Sequence, residues 1–255
     1  MNFFLLNLIH YFRRLFKDIK EVTLLLLIPI GLIVINSLFE SSMVLEGYNV
    51  TASFNMPAFL LAFQFFNMAI MLYFLFNDFK GTMRWRLRAA PHSLLAFILP
   101  AFVANWLFSI TIGLVIILVS ALLLNAYLGN LLVLAAVLLL VSLMATFLSM
   151  LIFLFTKSFR EANGLVYIVS FGLMIITGFM FPLGNSAVAV FLNTYGTPLA
   201  LGQRAIIYAG SLNDFMAGGD GGRGMEQAII NIGILAAITL VLALVTIIAA
   251  RRRKI

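Results

Sequence analysis

Apolar residues run along this chain in long blocks cut by short polar breaks, and the blocks set the elements. The first block is short. Met1–Phe12 is apolar, and Arg13, Arg14, Lys17 and Lys20 follow at once. At helical spacing Asn7, His10, Arg14, Lys17 and Glu21 fall on one side, and Leu5, Leu8, Ile9, Phe12, Phe16 and Ile19 on the other. This predicts an amphipathic helix over residues 1–21 with a basic face, of the kind that lies in a membrane surface. A secretory signal would place its charge before its apolar run, the reverse of this order.

The later blocks are long enough to cross a bilayer, which takes about 20 helical residues. They predict spans over about 22–39, with Pro29 inside, and about 54–76. Leu94–Leu124 is too long for one straight crossing, since 31 helical residues reach about 46 Å. The third span is therefore set after Pro100, at 101–124, and Leu94–Leu99 is given to the approach. The turn NAYLGN leads into a fourth span at 131–155, and the polar break TKSFREAN into a fifth at 164–181. Residues 182–227 hold only short apolar stretches, Ala187–Leu192 and Pro198–Ala209, which suit re-entrant or interfacial helices outside the membrane centre. A sixth span at 228–250 stops at Arg251, Arg252, Arg253 and Lys254. The expected fold is all-α and integral to the membrane, one transmembrane domain over residues 1–255.

Composition narrows this further. Of 255 residues, 64% are hydrophobic and 10% charged, against about 45–50% and 25% in soluble domains, and the mean hydropathy is +1.13. A soluble enzyme and a disordered chain are excluded. The net charge of +7 would suit nucleic acid in a soluble protein; here it follows from basic residues collecting at cytoplasmic helix ends, and no nucleic-acid partner is expected. Fourteen of the sixteen Lys and Arg fall in segments on one side of a six-span topology, leaving Arg204 and Arg223 on the other. The positive-inside rule then puts both termini in the cytoplasm of a multi-pass plasma-membrane protein, with membrane lipid as a partner.

The chemistry on offer is sparse. There is no cysteine, so disulfides, thiolate nucleophiles and zinc-thiolate sites are out. The six spans hold no Asp, Glu, Lys, Arg or His, which argues against an ion-coupled secondary transporter or channel, the alternative reading. Neutral groups at membrane depth, such as Gln64, Asn67, Asn105, Ser109, Ser142 and Ser149, are expected to join helices. His10 and His92 are too isolated for a metal site. A membrane-embedded enzyme would need a nucleophile or metal constellation, and the sequence offers none. The glycine-rich AGGDGGRG at 217–224 lacks the Lys-Ser/Thr pair of a phosphate loop and is expected to be a flexible loop. With no energy source of its own, the chain needs a partner for uphill transport.

The connector at 77–93 exceeds what topology requires. Asp78, Lys80, Arg84, Arg86 and Arg88 alternate with Phe79, Met83, Trp85 and Leu87, and Pro91 ends the run. A short basic helix tied to two spans is a docking surface. On these residues the chain resembles the permease subunits of ABC-2 type exporters. The resemblance lies in Asp78-Phe79-Lys80-Gly81-Thr82, then Arg84 through Arg88, then Ala90-Pro91-His92-Ser93. A second match joins Lys157-Ser158 and Ala162 to Phe179-Met180-Phe181-Pro182-Leu183, and the order of parts fits from end to end. The resemblance implies two permease subunits, identical or related, enclosing a pathway above two separate ABC ATPase subunits that hold the ATP and Mg. It implies that this chain binds no cofactor and hydrolyses no ATP. The coupling residues would be Asp78, Lys80, Gly81, Thr82, Arg84, Trp85, Arg88 and Pro91, with Arg13, Arg14, Lys17 and Lys20 on the surface helix. A lipophilic drug, an antimicrobial peptide or a lipid-linked glycan is the expected substrate.

Overall fold

Where the sequence runs apolar the chain is helical. A computed structural model describes residues 3–17, 19–39, 44–45, 47–81, 85, 95–178, 186–210 and 221–252. α1 (Phe3–Lys17) and α2 (Ile19–Phe39) precede a two-stranded hairpin, β1 (Val44–Leu45) with β2 (Tyr48–Asn49), which turns through Gly47 at φ +85°. The second block is one long rod in three pieces: α3 (Val50–Phe66), α4 (Met68–Leu75) and a π-helical turn, Phe76–Lys80. α5 (Leu95–Leu124), α6 (Leu131–Phe155) and α7 (Phe159–Ile176) follow, then the short α8 (Ala187–Thr194) and α9 (Pro198–Ala209), then α10 (Gly221–Arg252).

Five helical stretches are long and apolar enough to cross a bilayer, and the α1–α2 pair, bent by 59°, makes a sixth candidate. The fold is all-α and membrane-integral. Lipid offers no hydrogen bonds, so helix ends near it need their own. Asn49 Oδ1 accepts from the Ala52 N–H, Asn130 Oδ1 from Leu132 and Val133, and Thr197 Oγ1 from Ala200. Each such cap is worth about 1 kcal/mol.

The α3–α4 rod sits at the centre. Of its span, 83% is buried inside the protein, against 17% for α10. Phe65, Leu60, Leu61, Met68, Leu72 and Leu75 are fully enclosed, while Ile229, Leu240, Val241 and Leu244 on α10 are left exposed for lipid or another chain. In a bilayer that exposure costs little, because lipid tails are as apolar as leucine.

Several boundaries differ from the sequence reading, each for a physical reason. Leu95–Leu99 continues α5 through Pro100. A proline removes one donor and bends a helix, but it does not stop one whose neighbours hold it. α1 supplies that support. Phe3 packs on Phe97 with ring centroids 5.2 Å apart, and Phe16 on Phe108 at 4.9 Å. The surface helix therefore lies alongside the first half of α5, with Tyr11 and Leu15 buried, and the excess length of α5 is what α1 covers. The second span reaches from Val50 to Lys80, so the first residues of the connector belong to the rod. The fifth helix starts at Phe159, because Ser158 Oγ accepts from the Glu161 N–H and Glu161 accepts from the Lys157 N–H. It ends at Ile176; Phe179–Leu183 lie outside the described residues. Gly221–Gly224, read as flexible loop, form the first turn of α10, and residues 211–220 lie outside the described residues.

The short helices form a re-entrant hairpin. A Cβ on Gly196, between α8 and α9, would stand 2.6 Å from Leu192 Cα, so the turn requires glycine. On α9, a Cβ at Gly202 would meet Leu61 at 2.8 Å and Val137 at 3.0 Å. Leu61 is eleven residues into α3, about 16 Å from its start. α9 therefore dips well into the bundle, too short to cross it.

Candidate functional site

The contacts sort the helix ends into two groups. At one end, the Asn49 N–H donates to the Asn125 carbonyl at 3.1 Å and the Tyr127 N–H to Ser53 Oγ at 2.8 Å. Gly129 packs on Gly210, and Gly224 on the Tyr208 carbonyl. At the other end, Lys80 Nζ donates to the Phe153 carbonyl at 2.9 Å and to the Thr156 carbonyl. Arg14 meets Asp78 there, and Lys157, Arg160, Arg251 and Arg252 lie at or just beyond the helix ends that run to it. This second end is the charged end, and of the residues expected to couple to a partner, Asp78, Lys80 and Gly81 lie on it.

Two residues apart on a helix, side chains point in roughly opposite directions. The π turn thus sends Asp78 to one neighbour and Lys80 to another. Asp78 is buried, and both its oxygens accept from Arg14 Nη1 at 2.8 Å. The Arg14 guanidinium also lies 4.5 Å from the centre of the Phe74 ring, and the Tyr11 hydroxyl donates to Asp78. Burial first, then the Asp78 charge, pushes the Tyr11 phenol well above its usual range, so it remains a donor. A buried carboxylate is tolerated only when paired in this way.

Lys80 goes the other way. Its ammonium sits 4.5 Å from the centres of the Phe76 and Phe153 rings while it donates to the carbonyls at the end of α6. A cation there complements the helix dipole and satisfies carbonyls that α6 leaves open. Asp78 and Lys80 therefore clasp α1 and α6 to the central rod, which leaves neither a free docking group.

The chain leaves the rod at Gly81. A Cβ at this position would stand 2.6 Å from the Asn77 carbonyl oxygen, so the exit passes against the rod's own backbone. Beyond it, Trp85 is 74% exposed, a large aromatic with its surface open. Arg13 and Lys17 are exposed on α1, away from the Arg14 pair. Lys20 lies in α2, and its side chain is outside the described residues, as are Thr82, Arg84, Arg88 and Pro91. Among the described residues no group of His, Cys, Asp or Glu could hold a metal ion.

The structure thus brings together Arg14 and Asp78, 64 residues apart, and sets Trp85 apart from them. Tyr11 and the α6 carbonyls are partners that sequence reasoning missed. One signal was available: Asp78 is the lone acid between Glu46 and Glu161, in a basic segment next to apolar chain, and such a carboxylate needs a donor.

No curated protein matches the chain. A protein family does: its description is ABC-2 type transporter, and the match covers residues 7–209, from α1 through α9. That range takes in the clasp, the central rod and the re-entrant hairpin. A fold of five candidate spans and a bent α1–α2 pair, with α1 laid along the bundle and an aromatic-bearing exit at the charged end, accords with it. The chain belongs to the ABC-2 type transporter family.

Proposed function

We propose that this chain is the permease half of an exporter driven by a separate ABC ATPase, and that the segment leaving the rod at Gly81 is where the ATPase docks. Two copies, or this chain with a related one, enclose the pathway. ATP and Mg are held on the partner. One observation carries the reading: an exposed Trp85 follows a glycine exit from a rod that Asp78 and Lys80 tie to α1 and α6. A push on Trp85 would reach three helices at once. That is how a closing ATPase could bias two arrangements of the bundle. The charged end faces the cytoplasm in this reading, on the 14-to-2 distribution of basic residues. The cargo is a lipophilic drug, an antimicrobial peptide or a lipid-linked glycan.

The test is co-purification of the chain with its ATPase. Trp85→Ala removes exposed surface only, and Gly81→Val reroutes the exit. Both variants should insert and fold, yet bind the ATPase at least tenfold more weakly or lose substrate-stimulated ATP turnover. The cysteine-free background lets the same preparations report orientation: Asp220→Cys should react with an impermeant thiol reagent in intact cells, and Arg160→Cys should not. Parental ATPase binding and export by both Gly81 and Trp85 variants would refute the docking role. Labelling of Arg160→Cys from outside would refute the orientation.

A further inference from the structure

Beside the Asp78 clasp lies a small cavity. Tyr11, Asp78 and Asn105 line it together with Leu15, Phe74 and Ala101, and its volume is about 10 Å³. That is about the room a single water needs, and no more. Asn105 stands on α5 and is 3% exposed. Its amide oxygen has no hydrogen-bond partner among the described residues. Leaving a buried acceptor bare is costly, and such an atom calls for an explanation.

The register of the helices puts Asn105 next to the clasp. Phe3 packs on Phe97 and Phe16 on Phe108, offsets of 94 and 92 residues, so α1 and α5 run parallel. Residue 11 is then level with about residue 104. Tyr11 and Asn105 meet the cavity from neighbouring positions, and Asp78 closes it from the rod.

The groups around the cavity do not match without a third molecule. The Asp78 carboxylate accepts from Arg14 at both oxygens and from the Tyr11 hydroxyl. A carboxylate has about four lone-pair sites, which leaves about one open. The Asn105 amide oxygen is also an acceptor, so it cannot bond the carboxylate directly. The Tyr11 proton is already given to Asp78. Both acceptors lack a donor, and a water supplies two. A cation would suit the acceptors but not the charge balance. Arg14 already neutralises Asp78, and the remaining walls are apolar.

We infer that one ordered water occupies this cavity, donating one hydrogen bond to Asn105 Oδ1 and the other to the Asp78 carboxylate. α5 thereby joins α1 and the central rod as a third helix held at Asp78. The chain leaves the rod at Gly81 and enters α5 at Leu95. Asn105 lies ten residues into α5, about 15 Å along it. The water bridge ties both roots of the connector to one junction, so a load on Trp85 is shared by the rod and α5. The water rests on the cavity and the unpaired acceptor; only the load sharing rests on the docking reading.

Two measurements on the purified chain test it. A density map fine enough to show ordered waters should carry one peak within about 2.5–3.0 Å of both Asn105 Oδ1 and an Asp78 oxygen. Ordered side chains with no peak between them, or the Asn105 amide nitrogen bonded straight to Asp78, would overturn the inference. The second measurement is the melting temperature of Asn105→Leu. In a dry cavity this change removes a bare acceptor and fills a void, so the melting temperature would rise. With the water present it strips the bridge, and the melting temperature should fall by about 2 °C or more. When Arg14→Met and Asp78→Leu are already in place the water has lost its second acceptor, and adding Asn105→Leu should then raise the melting temperature. A rise in the parental chain, or the same fall in both backgrounds, would overturn the inference. Where a variant does not insert, the map decides alone.

Discussion

The two ends of the bundle are joined by different chemistry. The end opposite the charged one is fastened mainly by backbone: Asn49 to Asn125, Gly129 against Gly210, and Gly224 against Tyr208, with the Tyr127 N–H on Ser53 Oγ beside them. The charged end is fastened by long side chains that cross from one helix to another: Arg14 and Tyr11 to Asp78, and Lys80 to the end of α6. Backbone contacts at glycines have no slack, since a shift of an ångström opens or collides them. Arginine and lysine tethers keep a hydrogen bond while their helices move, because rotatable stems take up the change. The opposite end can therefore serve as the fixed pivot and the charged end as the moving one. A transporter worked from the charged side needs that asymmetry.

Substitutions at the two ends should separate them. The largest effect is expected at Gly129. Its φ is +61°, and a Cβ would stand 2.7 Å from Gly210 Cα. Gly129→Val meets both a disfavoured backbone and a fixed neighbour, for a loss of about 3 kcal/mol or more. It should appear as a large drop in melting temperature or in folded yield, and a near-parental melting temperature would break the pivot assignment. At the moving end, Asp78→Ala strands a guanidinium and a phenol, one of them a third exposed, for about 2 kcal/mol. A double-mutant cycle of Arg14→Met with Asp78→Leu should return a coupling of about 1–2 kcal/mol. Independent, additive effects would show that the clasp is incidental. The smallest effect is expected for Lys80→Met, at about 1 kcal/mol, because the apolar stem is kept while the ammonium's contacts with the Phe76 and Phe153 rings and with the carbonyls at the end of α6 are lost. A cost as large as that at Gly129 would erase the contrast between the ends.

The sequence carried the spans well and the joints poorly. Leu131–Phe155 could be read to the residue, because an unbroken apolar run sits between Asn130, a helix-capping amide, and the polar Thr156. The start of α7 was legible too. Ser158-x-x-Glu161 has the spacing of a capping box, yet the polar character of TKSFREAN reads first as a loop. Pro100 was misleading because a proline's local cost is fixed while its support by α1 is tertiary. The site divides in the same way. Asp78 and Lys80 were recognisable as unusual residues, but their partners lie 64 and 76 residues away, at distances no local pattern encodes. Nor does any residue type announce a π turn, which arises when packing on both sides forces an extra residue into a helix.

The re-entrant hairpin has a consequence for how the molecule is made. α8 and α9 have eight and twelve residues, too few to be released into lipid as ordinary spans while the chain is being synthesised. α9 nevertheless ends with Leu199, Ala200, Leu201, Ala205 and Ile206 buried. Its berth is built by α3 and α6, which are made before it, and by α10, which is made after it. A nascent chain that has passed Gly210 but not yet completed α10 holds an apolar helix without one wall of its seat. Synthesis of the 32 residues of Gly221–Arg252 closes that wall. Emergence of α10 thus completes the seat, and chains cut short before it would carry an unseated hairpin for membrane proteases to find.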